Sequence, residues 1–484
     1  MSDTTIAVPA DGVFGFDERA VAAGANEELA GPPHAATRPV ERQERVASVD
    51  VLRGFALLGI LIMNITDFGL PSWAYMIPLS TPLPVFSGPH ARINTVVWFL
   101  RWVLAEGKMR ALFSMLFGAG AVLLTSRAEQ RGAGDRTADI FTRRNMWLVL
   151  IGMLHAYVIW EGDILYWYGL TGLLFLYPCR KLQAKTLIRA SVVVLLLYGM
   201  LAGVGQMAQP YFARKKALAA DAAMRAGKPL TEEQISDLKA WKDVQEQWRP
   251  PQKKVDEEMK AMRGGYLSAQ GHKAGDVLKL ETIFYYFAFG DVLGFMLLGM
   301  AMYKNGFLSG EWSYKAYALT AVIGLGIAWP LVFEGCLHAW RSHFDQFVTT
   351  EWLTLPYEFG RLGGALGNAA VVLMIFKAGR MRWASNALAA VGQMALSNYL
   401  LTSLICKTVF VWSSLRWIGR LEYYQLYYVL AGVWAVNLIW SSIWLRYFRF
   451  GPVEWMWRSL TYWQRQPMLL RPKESGPAPV PAIA

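Results

Sequence analysis

The sequence predicts an all-α polytopic membrane bundle of about ten transmembrane helices, and three observations predict it. Apolar residues fall in blocks of about twenty, long enough to cross a hydrocarbon core of roughly 30 Å. Of the 484 residues only 17% are charged, where a soluble chain carries about a quarter. Lys and Arg recur in alternate connections between the blocks, the pattern that orients membrane proteins. Many of the 21 Trp, 21 Tyr and 24 Phe stand at block ends, as an interfacial aromatic belt requires.

Residues 1–44 are rich in Ala, Gly, Pro and Glu without sustained periodicity and read as a disordered cytoplasmic tail. No apolar h-region precedes the first block, so no cleavable signal peptide is expected. The first block, about 49–69, opens a set of five helices within 45–208; the others fall near 109–126, 145–161, 163–179 and 187–208. Residues 71–107 connect the first two blocks through Pro71, Pro78, Pro82, Pro84 and Pro89. Their amphipathic stretch Ile93–Leu104 is expected to lie on the membrane. Residues 209–278 are polar and charged, with helix-forming runs such as Leu230–Trp248, and read as an extracytoplasmic helical lid. Five further blocks follow within 279–450, near 281–303, 315–338, 353–377, 385–409 and 425–445, and 451–484 reads as a cytoplasmic tail.

Arg42 and Arg45, the group Arg127 to Arg144, Arg180 to Lys185, Lys304 with Lys315, Lys377 to Arg382, and Arg446 to Arg458 all fall on one side if both termini are cytoplasmic. The expected location is the bacterial inner membrane, with membrane lipids as partners. The net charge of +12 is thereby explained by topology, and no basic-aromatic module calls for nucleic acid. Cys179, Cys336 and Cys406 stand singly, without CxxC or companion histidines, so they read as small apolar fillers, with no metal expected.

Ionisable and amide side chains at membrane depth are costly, and they mark the candidate site. In the first block Arg53 stands near the cytoplasmic entrance, either holding a phosphate or snorkelling beside Asp50. Asn64 lies about 16 Å deeper along the axis, either orienting a substrate carbonyl or bonding another helix. Ser114, Gly118 and Gly120 follow Glu106-Gly107-Lys108, and the glycines permit close approach of a helix or an extended ligand.

His155 is the only histidine well inside an apolar block, within Gly152–Leu165. Neutral imidazole can take a proton from an attacking hydroxyl or amine and return it to a leaving group; a packing role is the bland alternative. Asp163 is the carboxylate that would orient it. On a continuous helix the two would be about 12 Å apart, so contact requires the chain to fold back at Gly162. Otherwise Glu161 and Asp163 line the outer mouth. Asp291, Glu358, Arg361, Ser397, Asn398 and Ser403 are the other polar residues at membrane depth, and Glu358 and Arg361 share a helix face where they can neutralise each other.

Five stretches resemble the YeiB-like family of bacterial membrane proteins: Ser48–Asn64, Gly107–Gly120, Gly152–Leu165, Gly392–Tyr399 and Gly451–Trp463. They span nearly the whole chain from 45 to 465. That family in turn resembles a transmembrane acyltransferase superfamily that includes heparan-alpha-glucosaminide N-acetyltransferase, with which it shares an RG…N first helix. The resemblance implies an acyl-CoA-dependent enzyme that moves an acetyl or other acyl group from cytosolic acetyl-CoA to an extracytoplasmic hydroxyl or amine, on a saccharide or other envelope component. The lysosomal enzyme's histidine follows soon after its first-helix asparagine, whereas the next histidine here is His90. The base is therefore expected to be His155, with His90 in reserve. Asn64 or Asn398 would polarise the carbonyl, Arg53, Arg143 and Arg144 would hold phosphates, and Ser114, Gly118, Gly120, Asn398 and Tyr399 complete the expected donor site. A homodimer is a further expectation. The rival reading is a proton-coupled transporter using Asp291, Glu358 and Arg361, against which no internal repeat is found.

Overall fold

The computed structural model describes residues 46–470, apart from the side chains of Phe287 and Ala288. The tail expected over 1–44 lies outside the described residues. Within them the chain is helical, and the only extended pairing is an isolated bridge between Phe448 and Leu469.

In chain order the main helices are α1 (Ala47–Gly69), α2 (Ala91–Leu100), α3 (Lys108–Gln130), α4 (Arg136–Val158), α5 (Leu165–Thr171) and α6 (Ala184–Arg225). Next come α7 (Glu232–Trp248), α8 (Gln252–Arg263), α9 (Tyr266–Lys279) and α10 (Tyr285–Lys304). The chain closes with α11 (Tyr314–Arg341), α12 (Tyr357–Ala378), α13 (Arg382–Gln393), α14 (Ala395–Lys407), α15 (Leu426–Tyr447) and α16 (Pro452–Tyr462).

Among the described residues seven helical runs are long and apolar enough to cross a membrane, or eight if the pair Tyr266–Phe284 and Phe289–Lys304, bent by 63°, is one span. The block 281–303 joins that set only through the bent pair, and two further expected blocks lie outside it. The helix α4 begins with Arg136, Arg143 and Arg144, which lower its hydropathy. The block begun by α5 passes into a π turn at Gly172 and ends at Cys179. Its roughly fifteen residues reach only about 22 Å at helical rise.

Three boundaries differ from the sequence expectation. The helix α6 runs unbroken through Pro210 to Arg225, so the polar region begins as the continuation of a span and not at 209. The stretch Ile93–Leu104 packs one face into the bundle. Its Trp98, Arg101 and Trp102 are fully buried in the bundle, while Ile93, Val96, Leu100 and Leu104 face outward. Gly107, at φ 69°, turns the chain from there into α3. The third is the C-terminal stretch, where residues 452–462 form α16 and dock onto α4.

Glycines set the closest crossings. A Cβ on Gly54 or Gly392 would run into the backbone of the facing helix where α1 meets α13, and one on Gly118 or Gly299 would do so where α3 meets α10. These are small-residue contacts that let helix backbones touch. They draw α1, α3, α4, α13 and α14 around the site described next.

Candidate functional site

The helix α4 ends at Val158, and the amides of Ile159 and Trp160 both donate to the His155 carbonyl. The chain then reverses. Gly162 is required here because a Cβ would strike the Trp160 indole. Gly152, one turn before His155, leaves room for the returning chain, since its Cβ would meet the Tyr166 amide. The reversal satisfies the fold-back condition: Asp163 Oδ1 lies 2.7 Å from His155 Nδ1. Asp163 Oδ2 accepts from the Tyr166 amide at 2.8 Å, which fixes the carboxylate at the start of α5.

Both side chains are almost wholly buried, at 1% and 2% exposed. An ionised carboxylate only accepts, so Nδ1 donates to it and the lone pair stays on Nε2. Nε2 is itself buried and has no hydrogen-bond partner. An imidazole fixed in this tautomer, with its second nitrogen unengaged, is arranged as a general base.

Two cavities approach this dyad from opposite ends of α1. The larger, about 650 Å³, is lined by Asn64 and Asp67 of α1, by Glu106 and Arg110, by Glu161 and Asp163, and by α6, α9 and α12. The smaller, about 180 Å³, is lined by Asp50 and Arg53 of α1, Gly120 and Arg127 of α3, Arg144 of α4, and Glu454, Trp457 and Arg458 of α16. Tyr399 lines both. Its ring centroid is 5.0 Å from that of His155. Its hydroxyl accepts from the Ile164 amide at 3.3 Å and points to the Gly162 carbonyl at 3.5 Å. One tyrosine therefore stands between the cavities and is tied to the loop that carries Asp163.

The helix α16 shapes the smaller cavity. Glu454 accepts from the amides of Leu396 and Ser397 at 2.7 and 3.0 Å and from the Ser397 hydroxyl at 2.5 Å, capping the start of α14. Trp457 donates to the Arg144 carbonyl at 2.9 Å, and the Arg144 guanidinium lies 4.2 Å over its ring. Arg458 lies over Phe450. Among the described residues neither Arg144 nor Arg458 forms an ion pair, whereas Arg53 pairs with Asp50 at 2.9 Å.

The larger cavity has its buried cations matched, and its wall carries further carboxylates at Asp67, Asp276 and Glu281. Arg361 binds Asp291 at 2.5 Å and Glu358 at 2.8 Å, and Arg110 binds Asp291 at 3.0 Å. Glu161 meets Lys407 at 2.8 Å and Lys273 of α9 at 3.7 Å, and Lys273 also binds Glu258 of α8 at 2.6 Å. Burial pushes the Glu161 carboxyl up, but Lys407 and Lys273 outweigh it and hold it down at about 2. Trp160 donates to Asp67 at 2.9 Å.

The structure thus gathers Asp163, Asn64, Tyr399, Arg53, Arg144 and Gly120 in the walls of the two cavities, with His155, which lines neither, packed behind Tyr399 and Asp163. It places five other predicted residues elsewhere. Ser114 is spent on the Tyr168 hydroxyl at 2.6 Å and the Arg110 carbonyl. Gly118 serves the crossing with α10. Arg143 reaches back to the Asp139 carbonyl. Asn398 is fully buried and saturated by Val391, Ser441 and Trp440, so it is a helix-packing residue. His90 is half-exposed, pairs with Glu422 at 2.9 Å and lines neither cavity. Glu454, Trp457 and Arg458 were not among the expected site residues, because the stretch 451–484 reads as a tail; the run Gly451–Trp463 was the available signal. The three cysteines are free thiols, and no cluster of three His, Cys, Asp or Glu that could hold a metal occurs among the described residues.

Comparison with known proteins gives relatives over most of the chain. It is similar to YeiB of Escherichia coli strain K12, an uncharacterized protein, at 31% identity over 425 residues, covering 86% of this chain and 96% of that one. It is similar to the uncharacterized YxaH of Bacillus subtilis strain 168, at 28% identity over 444 residues, covering 90% and 99%. A 39.9 kDa protein of Bacillus acidopullulyticus shares 25% identity over 441 residues, covering 90% and 98%. Residues 302–464 match the family described as a protein of unknown function, DUF418. No solved structure matches.

Proposed function

The chain belongs to the family of YeiB, and from that premise we propose that it is a ten-pass membrane acyltransferase that takes an acyl group from cytosolic acyl-CoA and gives it to an extracytoplasmic hydroxyl or amine. In this reading α4, the run Leu165–Cys179 and the bent pair ending in α10 complete the ten passes, and the arginine-lined cavity faces the cytoplasm. One observation carries the proposal: two cavities of different chemistry meet at Tyr399, beside a buried histidine with a fixed tautomer and an unengaged nitrogen.

The smaller cavity fits a donor of this kind. Arg144 and Arg458 lack carboxylate partners there, and a guanidinium is suited to phosphate. A space of about 180 Å³ admits a thioester and the end of a pantetheine arm, while the nucleotide would lie on the basic face outside. The donor supplies an activated acyl carbon with a thiol as its leaving group. His155 Nε2 takes the proton of the acceptor as the acceptor's oxygen or nitrogen bonds to that carbon. It returns the proton to the departing sulfur, so the net exchange is one C–S bond for one C–O or C–N bond. Asp163 holds the imidazole and stabilises its cationic form. Asn64, in the wall of the larger cavity, is positioned to donate to a carbonyl oxygen whose charge grows during attack. The paired cations and additional carboxylates of that cavity disfavour an anionic acceptor and suit an uncharged hydroxyl, as on a saccharide, or an amine.

A carrier would also use two cavities with a partition. The two readings separate in proteoliposomes loaded with radiolabelled acetyl-CoA outside. Acyl transfer predicts CoA release that His155→Ala abolishes, with acetyl-CoA binding retained. Solute flux without CoA release, or undiminished release from the His155→Ala protein, would overturn the proposal.

A further inference from the structure

The larger cavity is not closed toward the side of the bundle. Its wall includes Tyr198, Ala202 and Gln206, one face of α6, and Asp276, Lys279 and Phe284 on the opposite side, at the end of α9 and its π turn. Gln206, Asp276, Lys279 and Phe284 line the cavity and are also exposed to the exterior. Leu355, which completes this rim beside α12, is 40% exposed, and Phe284 is 52% exposed. A residue that belongs both to a cavity wall and to the outer surface marks an opening.

That opening lies at membrane depth. The outward face of α6 beside it carries Leu201 and Val204, and the π turn carries Ile283, all exposed large apolar residues on helices that this reading places in the bilayer. Such surface is stable only against hydrocarbon. The rim is graded. Asp276 and Lys279 are polar, and Phe284 follows about 12 Å along the helical path with Leu355 as its apolar counterpart. Inside, the cavity becomes charged at Glu106, Arg110 and Arg361, and it reaches the dyad at Asp163. Headgroup-like chemistry therefore lies inward and at the upper rim, and tail-like chemistry lies at the lateral rim.

We propose that the acceptor is an amphiphilic lipid, which enters sideways from the bilayer between α6 and the turn Leu280–Phe284, with its polar head in the cavity and its apolar tail past Phe284 and Leu355. This deepens the acyl-transfer reading, since it names the class of acceptor at the same site. A water-soluble acceptor would need no apolar rim and would enter past the helices α7 to α9. A lipid-linked head gains from the membrane a high local concentration beside the opening.

The test is photolabelling in vesicles of phosphatidylethanolamine and phosphatidylglycerol that contain a diazirine-tailed phosphatidylethanolamine, with no acyl donor present. Leu201 and Val204 face the bilayer and report ordinary lipid contact. The expected result is label on Tyr198 and Ala202, which line the cavity, in addition to those two and the exposed Phe284. Ala202→Trp, which fills the opening from α6, should lower the label on Tyr198 several-fold and leave Leu201 and Val204 unchanged. Label confined to the outward-facing residues of the unaltered protein would overturn the proposal, as would unchanged label on Tyr198 in the folded variant. Acetyl-CoA binding measured on the same samples judges the acyl-transfer reading separately, because it reports the other cavity.

Discussion

The two cavities that meet at Tyr399 differ in how their charges are balanced. In the larger one each buried cation has a carboxylate: Arg361 has Asp291 and Glu358, Lys407 has Glu161, and Lys273 has Glu258. In the smaller one Glu454 is consumed as a helix cap, and Arg144 and Arg458 rest on aromatic rings instead of carboxylates. Arg144 and Arg458 are half-buried, and a cation partly withdrawn from water without a counter-ion carries a cost that an anionic ligand would offset. A matched network costs less and gives a rigid polar wall. The smaller cavity thus suits an anionic guest, whereas the larger, with its cations paired and carboxylates in excess, does not.

The comparison can be broken first at the partition. His155→Ala should lower acyl transfer by about 10²- to 10⁴-fold, the usual worth of a positioned base, with acetyl-CoA affinity unchanged by equilibrium binding. Asp163→Asn should reduce turnover in the same direction, because the orienting acceptor is lost while Nε2 remains. Equal loss of binding and turnover in both variants would mean that the dyad is structural.

Arg458→Ala should weaken CoA binding about ten- to hundredfold, from the loss of one charge-assisted contact of roughly 1.5–3 kcal/mol. The loss should shrink in high salt and leave lipid labelling at the larger cavity untouched. Affinity that does not respond would show that this cavity holds no phosphate.

Two glycines on α3 sharpen the contrast between packing and site. Gly118→Ala forces α3 away from α10 and should lower the thermal midpoint by several degrees, at a cost of about 1–3 kcal/mol. Gly120→Ala meets nothing within 4 Å, so stability should hold while the walls of the smaller cavity tighten.

The smallest expected effect is at the mouth. The Glu161 carboxyl falls from its ordinary 4.5 to about 2, so its ionised form stabilises the contact with α9. That stabilisation is complete above about pH 4.5 and is lost as pH falls from there toward 2. Protease cleavage of α7 to α9 should rise over this window and become flat in Glu161→Gln.

Much of the site was legible in the chain because its residues carry a physical cost. His155, Asp163, Asn64 and Arg53 stand out as polar groups within apolar runs, and each lies in a cavity wall or, for His155, directly behind one. Gly152 and Gly162 flag the reversal without showing that it closes the dyad. The misplaced expectations have one cause. Gly118 and Gly120 look alike in a line of letters, and only the azimuth of α3 sends one to a helix contact and the other to a cavity. Asn398 and Tyr399 differ likewise: adjacent residues on α14 point about 100° apart, one into a saturated hydrogen-bond cluster and one into the partition.

What the sequence determined by itself is the class of the protein, because the bilayer demands apolar runs of fixed length with internally satisfied backbone, and such runs can be counted. It also marked where polar groups had been retained against that demand. Tertiary structure alone decided which of them meet. The hydrogen bond of His155 to Asp163 depends on a reversed loop, the capping of α14 by Glu454 joins residues 57 positions apart, and the placing of Tyr399 between two cavities depends on how α1, α4 and α16 pack. Those distances follow from close contacts between distant segments, and no local period in the chain encodes them.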